Sequence, residues 1–192
     1  MSPDRIAVLL LAAGRSARFG SKDKMMALWH GRPLFTHMAD RIATLPFAHR
    51  IAVTRGASEA PVLHDRLAQL GFAVTINSAP ERGLSTSLAL GVAAARMVDC
   101  DAILICLADM PEVPEAHLID LCTAAADMHA IIASTNGVRP SPPALFGRVH
   151  FDSLGAITGD HGAHHLLSGA TWIKAPAGAL RDVDWPEDLV GC

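Results

Sequence analysis

Short apolar runs rich in valine and isoleucine alternate along this chain with longer stretches of helical period, and that order constrains the fold more than any other feature. It is the order of βα units feeding a parallel sheet, whose strands are covered on both faces and therefore read as continuous apolar runs. Strands are expected at Ile6 to Leu11, Arg50 to Thr54, Ala73 to Ile76, Ala102 to Leu107 and Ala130 to Ser134. Between them, helices are expected at Pro33 to Thr44, Ser58 to Leu70, Ser85 to Met97 and Pro114 to Ala126, the last opening on a proline whose missing N–H is no loss in a first turn. Beyond Thr135 the pattern loosens. NGVRPSPP reads as a proline-rich turn, ALFGRVHFDSL and GDHGAHHLL as a short strand followed by two short helices, and the tail from Lys174 to Cys192 as loop.

A chain of 192 residues fits one domain, and one of that size buries about 70% of the surface its unfolded form exposes. No internal repeat, low-complexity tract or linker composition divides it, so a single domain over 1–192 is expected. An apolar content of 51% with only 5% aromatic residues suits layers of helix on sheet, the α/β class. A formal charge of −3 gives no basic field for a nucleic-acid backbone, so a bound anion must be small and met by a local cluster. The four cysteines, Cys100, Cys106, Cys122 and Cys192, show no CxxC spacing and read as reduced, structural thiols. The opening MSPDRIAVLLLAAG could pass for a signal peptide, but its charge is mixed and Gly14 and Arg15 interrupt its apolar run, so it reads better as a first strand. No stretch approaches the roughly 18 uninterrupted apolar residues of a membrane span, so a cytoplasmic address is the expectation.

In open α/β sheets ligands bind outside the carboxyl ends of the strands, which directs attention to three segments. The first strand empties into AAGRSARFGSKDK, where small residues let backbone N–H groups turn around phosphate oxygens and Arg18 with a lysine supplies charge. It is neither the GxxxxGKS/T nor the GxGxxG fingerprint, and glycine-rich turns after strands also occur without a ligand. The fourth strand ends in Leu107-Ala108-Asp109-Met110-Pro111, delivering an aspartate able either to bind Mg²⁺ or to cap a turn. The third segment, Gly83-Leu84-Ser85-Thr86-Ser87-Leu88, runs three hydroxyls into a helix; Ser85 suits an N-cap, and the others could reach a base or sugar.

These segments carry a resemblance. LAAGRSARFG is similar to the LAAGxSxRxG signature of the sugar-phosphate and pterin nucleotidyltransferases. The branch containing molybdenum cofactor cytidylyltransferase is resembled further by Gly83 to Leu88 (GxSxSL), Leu107 to Pro111, Pro143-Ala144-Leu145-Phe146 (PxLF) and Gly159-Asp160-His161-Gly162-Ala163 (GDxGA), in order over residues 6 to 167. The resemblance implies a Rossmann-like nucleotidyltransferase fold, three-layer α/β/α with a mostly parallel sheet, its nucleotide-binding part at about 1–112 and its acceptor part at about 113–192. It implies that CTP and molybdopterin give molybdopterin cytosine dinucleotide and pyrophosphate, with Mg²⁺ (or Mn²⁺) as cofactor and a molybdenum hydroxylase as receiver of the product. Ala13 stands where guanylyl-transferring relatives usually carry glycine, which implies cytidine. The family lysine falls at Asp23, so Lys24, one residue on, is the better match and Lys22 the alternative.

By the same resemblance the catalytic residues are Arg18, Lys24 and Asp109, and Asp109 and Asp160 hold the metal. The nucleotide is met by Leu11, Ala12, Ala13, Gly14, Arg15, Ser16, Arg18, Gly20, Lys24, Asn77, Gly83, Ser85, Ser87 and Ala108, and the acceptor by Pro143, Gly162 and His164. The acceptor phosphate is already anionic, so no general base is assigned. His161, His164 and His165 have zinc-pair spacing, but with no HExxH or neighbouring thiolates they read as structural or phosphate-facing. Two other readings stand beside this one: nucleotidyl transfer to an isoprenoid or sugar phosphate on the same fold, and a non-catalytic carrier of a dinucleotide cofactor.

Overall fold

The computed structural model describes residues 1–14, 16–20, 23–56, 58, 60–159 and 166–189. In chain order its elements are β1 (Ile6–Ala12), β2 (Leu28–Trp29), β3 (Arg32–Pro33), α1 (Leu34–Thr44), β4 (His49–Thr54), α2 (Pro61–Gln69), β5 (Ala73–Ile76), α3 (Leu84–Arg96), β6 (Ala102–Leu107), α4 (Glu115–Ala124), β7 (Ile131–Thr135), β8 (Pro140–Gly147), α5 (Phe151–Gly155) and β9 (Thr171–Lys174).

Seven strands form one sheet in the order β5-β4-β1-β6-β8-β7-β9, and only β8 runs against the rest. β1 is buried along its whole length because β4 and β6 flank it in parallel and helices cover both faces. Its alternate residues serve two cores. Ile6, Val8 and Leu10 pack with Phe35, Met38 and Ile42 of α1, Leu63 and Leu67 of α2, and Leu118 and Leu121 of α4. Ala7, Leu9 and Leu11 pack on the opposite face with Leu88 and Val92 of α3 and Phe151 and Leu154 of α5. The molecule is thus the three-layer α/β/α fold with a mostly parallel sheet.

The five expected strands and four expected helices are all present, with ends shifted by up to three residues. The proline-rich segment is different: Pro140 to Pro143 belong to β8 rather than to a turn. β6 pairs with β8 only from Ala144 onward, and the β7–β8 register shifts at Ala133/Ser134, so these prolines sit where one side of the strand needs no N–H. β9, expected only as part of the loosening segment, is an edge strand parallel to β7. A short hairpin, β2–β3, was also not foreseen; His30 and Gly31 make its turn at positive φ. Among the described residues no helix is long and apolar enough to cross a membrane.

Candidate active site

The chain winds outward from β1 through β4 to β5 and then returns to β6 on β1's other side, which makes the β1/β6 boundary a topological switch point. A cleft of about 690 Å³ opens there. Leu11 to Gly14 form one wall as the chain leaves β1, and Leu107 and Asp109 form another as it leaves β6. Arg18 and Lys24 come from two consecutive 3₁₀ turns, and Gly83, Leu84 and Ser87 come from the start of α3.

Of the two described cations in the cleft, Lys24 is held more tightly than Arg18. Its side chain is only 10% exposed, and its Nζ donates to Asp109 Oδ2 at 2.6 Å and to Asp184 Oδ1 at 3.2 Å. Burial works against the ammonium charge, but Asp109 and Asp184 more than offset it and hold the lysine above its ordinary pKa. Arg18 lies further out: its Nη1 is 3.0 Å from Asp184 Oδ2, and its guanidinium carbon lies 5.1 Å from the centre of the Trp185 ring.

The turn that presents Lys24 begins at Asp23, whose Oδ1 accepts from the Met25 amide at 3.0 Å, an ordinary N-cap. Asp23, at the expected family lysine position, is therefore the cap of the turn that carries Lys24, and among the described residues Lys24 is the lysine that lines the cleft. Lys22 lies outside the described residues.

The tail supplies what the sequence reading missed. Asp182 and Asp184 line the same cleft as Asp109. Val183, fully buried between them, donates its amide to the Asp109 carbonyl at 3.0 Å and so fastens the tail to the end of β6. Asp188 Oδ2 accepts from the amides of Asp184 and Trp185, each at 2.9 Å, and fixes the bend that follows. The Asp182 side chain meets solvent, yet the protein crowding it removes enough water to push its carboxyl up to about 6, with Asp109 and Asp184 adding repulsion. The available signal was Asp182-Val183-Asp184 itself: two carboxylates alternating with an apolar residue, just before a proline. Read as loop, it looked ordinary.

The hydroxyl segment also differs from expectation. α3 starts at Leu84 with Gly83 as N-cap, at φ 99, and no side chain caps it, so Ser85 is not the cap. Ser87 is buried and faces the cleft, whereas Ser85, also buried, is not among its lining residues. Asn77 organises this corner: its Nδ2 donates to Thr86 Oγ1 at 2.9 Å and Ser87 Oγ at 2.8 Å, and its Oδ1 accepts from the Ala79 amide. It positions the hydroxyls from behind.

Of the other expected site residues, Leu11, Ala12, Ala13, Gly14 and Gly83 line the cleft. Ser16 (φ 56) and Gly20 shape the loop, and Ala108 is buried and bonded to Leu11 through its amide. Pro143 is buried in β8, where its carbonyl accepts from Ser134 Oγ at 2.7 Å, and it does not line the cleft. Arg15, Asp160, Gly162 and His164, with His161 and His165, lie outside the described residues. Among the described residues no three His, Cys, Asp or Glu side chains form a ready metal cage. Mg²⁺ requires none, since one or two carboxylates with substrate phosphates and waters ordinarily hold it.

Comparison with known proteins bears on this geometry. A family model described as the MobA-like NTP transferase domain matches residues 8–176. The purine catabolism protein PucB of Bacillus subtilis is 32% identical over 114 residues, 56% of this chain and 55% of that protein. A molybdenum cofactor guanylyltransferase of Cereibacter sphaeroides is 34% identical over 110 residues, 57% of this chain and 53% of that one. The chain spans about half the length of the curated relatives it matches. Among solved structures, Rv0371c of Mycobacterium tuberculosis superposes with a TM-score of 0.81 at 23% identity, covering 97% of this chain and 96% of that one. The same protein in complex with manganese gives 0.75 at 23% identity, over 96% and 95% of the two chains. At these identities the structures speak for the fold. The chain belongs to the MobA-like NTP transferase domain family.

Proposed function

We propose that this protein is a nucleotidyltransferase that moves the cytidylyl group of CTP onto the phosphate of a molybdopterin-type acceptor, giving molybdopterin cytosine dinucleotide and pyrophosphate. The observation that carries the reading is the meeting of Lys24 and Asp109 at 2.6 Å in a cleft walled by the glycine loop and the start of α3. An acceptor phosphate oxygen attacks the α-phosphorus, and the bond to the β-phosphate breaks. The protein's task is alignment and charge neutralisation.

Arg18, Lys24 and the amides of the loop from Ala13 to Gly20 hold the β- and γ-phosphates and support the departing pyrophosphate. Lys24 must leave Asp109 to do so. Ala12, Ala13, Gly83 and Ser87 face the base, and Asn77 keeps Ser87 in place. A divalent cation suits the donor set: Asp109, Asp182 and Asp184 line one wall of the cleft, where burial, with repulsion from Asp109 and Asp184 added to it, raises the Asp182 pKa to about 6. Asp109 and Asp184 would hold Mg²⁺ or Mn²⁺, with Asp182 and Asp160 as further candidates. When bound, the cation acts as Lewis acid and template for the phosphates. The relative in complex with manganese supports this metal class.

The cleft walls up to Asp109 support a nucleotide-binding part at about 1–112 and an acceptor part at about 113–192, the tail aspartates returning to the nucleotide side. A molybdenum hydroxylase is the proposed receiver of the product, in the cytoplasm. A second reading, transfer from GTP, is favoured by the similarity to a guanylyltransferase. Pyrophosphate release measured with CTP, GTP and ATP, and with pterin, isoprenoid and sugar phosphate acceptors, tests both. Preference for GTP overturns the reading of Ala13, and product binding without pyrophosphate release favours a carrier.

A further inference from the structure

An ion pair outside the cleft joins two loops at the carboxyl edge of the sheet. Arg55, the residue after β4, brings Nη2 to 2.7 Å from Asp23 Oδ2, and the two side chains are only 16% and 18% exposed. The other oxygen of Asp23 accepts from the Met25 amide at 3.0 Å and from Ser16 Oγ at 3.4 Å. The Ser16 hydroxyl in turn accepts from the Lys24 amide at 3.0 Å. Arg55 is itself anchored, its carbonyl accepting from Thr54 Oγ1 at 3.0 Å and from His64 Nε2 at 2.8 Å. A continuous chain of contacts thus runs from β4 and α2 through Arg55 and Asp23 to the backbone that carries Lys24. Arg55 does not line the cleft, so anything it does there is indirect.

We propose that Arg55 is a positioning residue for nucleotide binding: by holding Asp23 it fixes the turn from which the Lys24 ammonium reaches the triphosphate. A largely buried carboxylate without its partner turns toward water, and Asp23 would then release both the Met25 amide and Ser16. The Lys24 turn loses its cap and its brace together. The inference rests on the nucleotidyl-transfer reading and deepens it.

The test compares Arg55→Ala, Arg55→Lys, Lys24→Ala and the Arg55→Ala/Lys24→Ala pair, reading equilibrium binding of CTP with Mn²⁺ and kcat/KM for pyrophosphate release. Arg55→Ala is expected to weaken CTP binding about ten- to a hundredfold, the scale of a misplaced binding group. Arg55→Lys retains most of the affinity. In the Lys24→Ala background, Arg55→Ala changes binding by less than about twofold, because both substitutions remove one interaction. A general loss of stability would instead multiply with Lys24→Ala. If Arg55→Ala does not fold, Arg55→Met with Asp23→Ala removes both charges and the cap together and is expected to weaken CTP binding over the same range. Unchanged affinity in Arg55→Ala, or effects that multiply with Lys24→Ala, overturns the inference while nucleotidyl transfer stands. A wild-type protein that binds no nucleoside triphosphate overturns both.

Discussion

Replacing Gly91 by alanine removes no interaction, yet it should destabilise the protein. Gly91 lies inside α3, on the face turned to β1, and a Cβ there would stand 2.3 Å from Leu9 Cδ2, 2.4 Å from Cδ1 and 2.9 Å from Cγ. Carbon atoms pack at roughly 3.5–4.0 Å, so each contact is short, the closest by more than about 1 Å. Leu9 has no exposed surface and is paired in register with Ile51 and Ile105, which leaves it nowhere to withdraw. Overpacking of this kind costs about 1–3 kcal/mol, and three contacts on an immobile side chain place it near 3. Alanine regains about 1 kcal/mol over glycine in a helix interior. The net loss is about 2 kcal/mol, or a Tm lower by about 4–8 °C for a chain of this length. Calorimetry and denaturant midpoints measure it. In a Leu9→Ala background, itself about 3 kcal/mol less stable, the clash is gone and Gly91→Ala should be neutral or stabilising. Ser87 sits one turn before Gly91 on the same face, so pushing α3 off the sheet should also raise KM for CTP. A Gly91→Ala protein as stable as wild type, or one equally destabilised with and without Leu9, would refute the reasoning.

Asp109→Asn should lower kcat/KM for pyrophosphate release at least about a hundredfold, the scale of losing one charge-stabilising group, with the circular dichroism spectrum unchanged; near-full activity would reject its role. Asp188→Ala removes the acceptor that fixes Asp184 and Trp185; proteolysis should nick the tail sooner, and KM for CTP should rise several-fold, roughly the loss of one capping interaction. Stability should fall as pH drops from 7.5 to 5.5. Burial depresses the pKa of both His37 and His117, so below the ordinary histidine value the unfolded chain binds protons that the native protein refuses. His37 donates from Nε2 to the Trp29 carbonyl and receives Arg32 at Nδ1, while His117 donates to Ser134 Oγ, whose hydroxyl is committed to the Pro143 carbonyl. Each histidine contributes a slope approaching about 1.4 kcal/mol per pH unit below its ordinary value. Asp182, raised in the native state, opposes them; a protein with both histidines changed to glutamine should therefore show a flatter profile of denaturant midpoint against pH, and an equally steep one would contradict the assignment.

What the sequence made legible follows from where physics is local. β1, β4 and β6 were readable because strands covered on both faces are apolar along most of their length, β5 because its short run of Val74 to Ile76 stands between turn residues although it lies half exposed at the sheet edge, and Asp109 stood out as a charge ending such a run. β8 was not readable, because prolines normally argue against a strand, and only the limits of the β6 and β7 pairing explain why Pro140 to Pro143 are tolerated. Asp182 and Asp184 were missed for a different reason. Their position depends on the Val183 amide finding the Asp109 carbonyl across 74 residues of chain, a contact with no local signature. Asn77 was picked out, but whether it met a ligand or braced Ser87 depended on three hydrogen bonds that only the packed corner creates.

The central claim is that Lys24, Arg18 and the carboxylates around Asp109 grip one nucleoside triphosphate. A crystal structure of the protein with CTP and Mg²⁺ tests it most directly through a single distance. Lys24 Nζ, now 2.6 Å from Asp109, should have moved to a phosphate oxygen, with the cation at Asp109 and the triphosphate against residues 13 to 20. A triphosphate bound elsewhere, or one bound in the cleft with the Lys24–Asp109 contact unbroken, would contradict it.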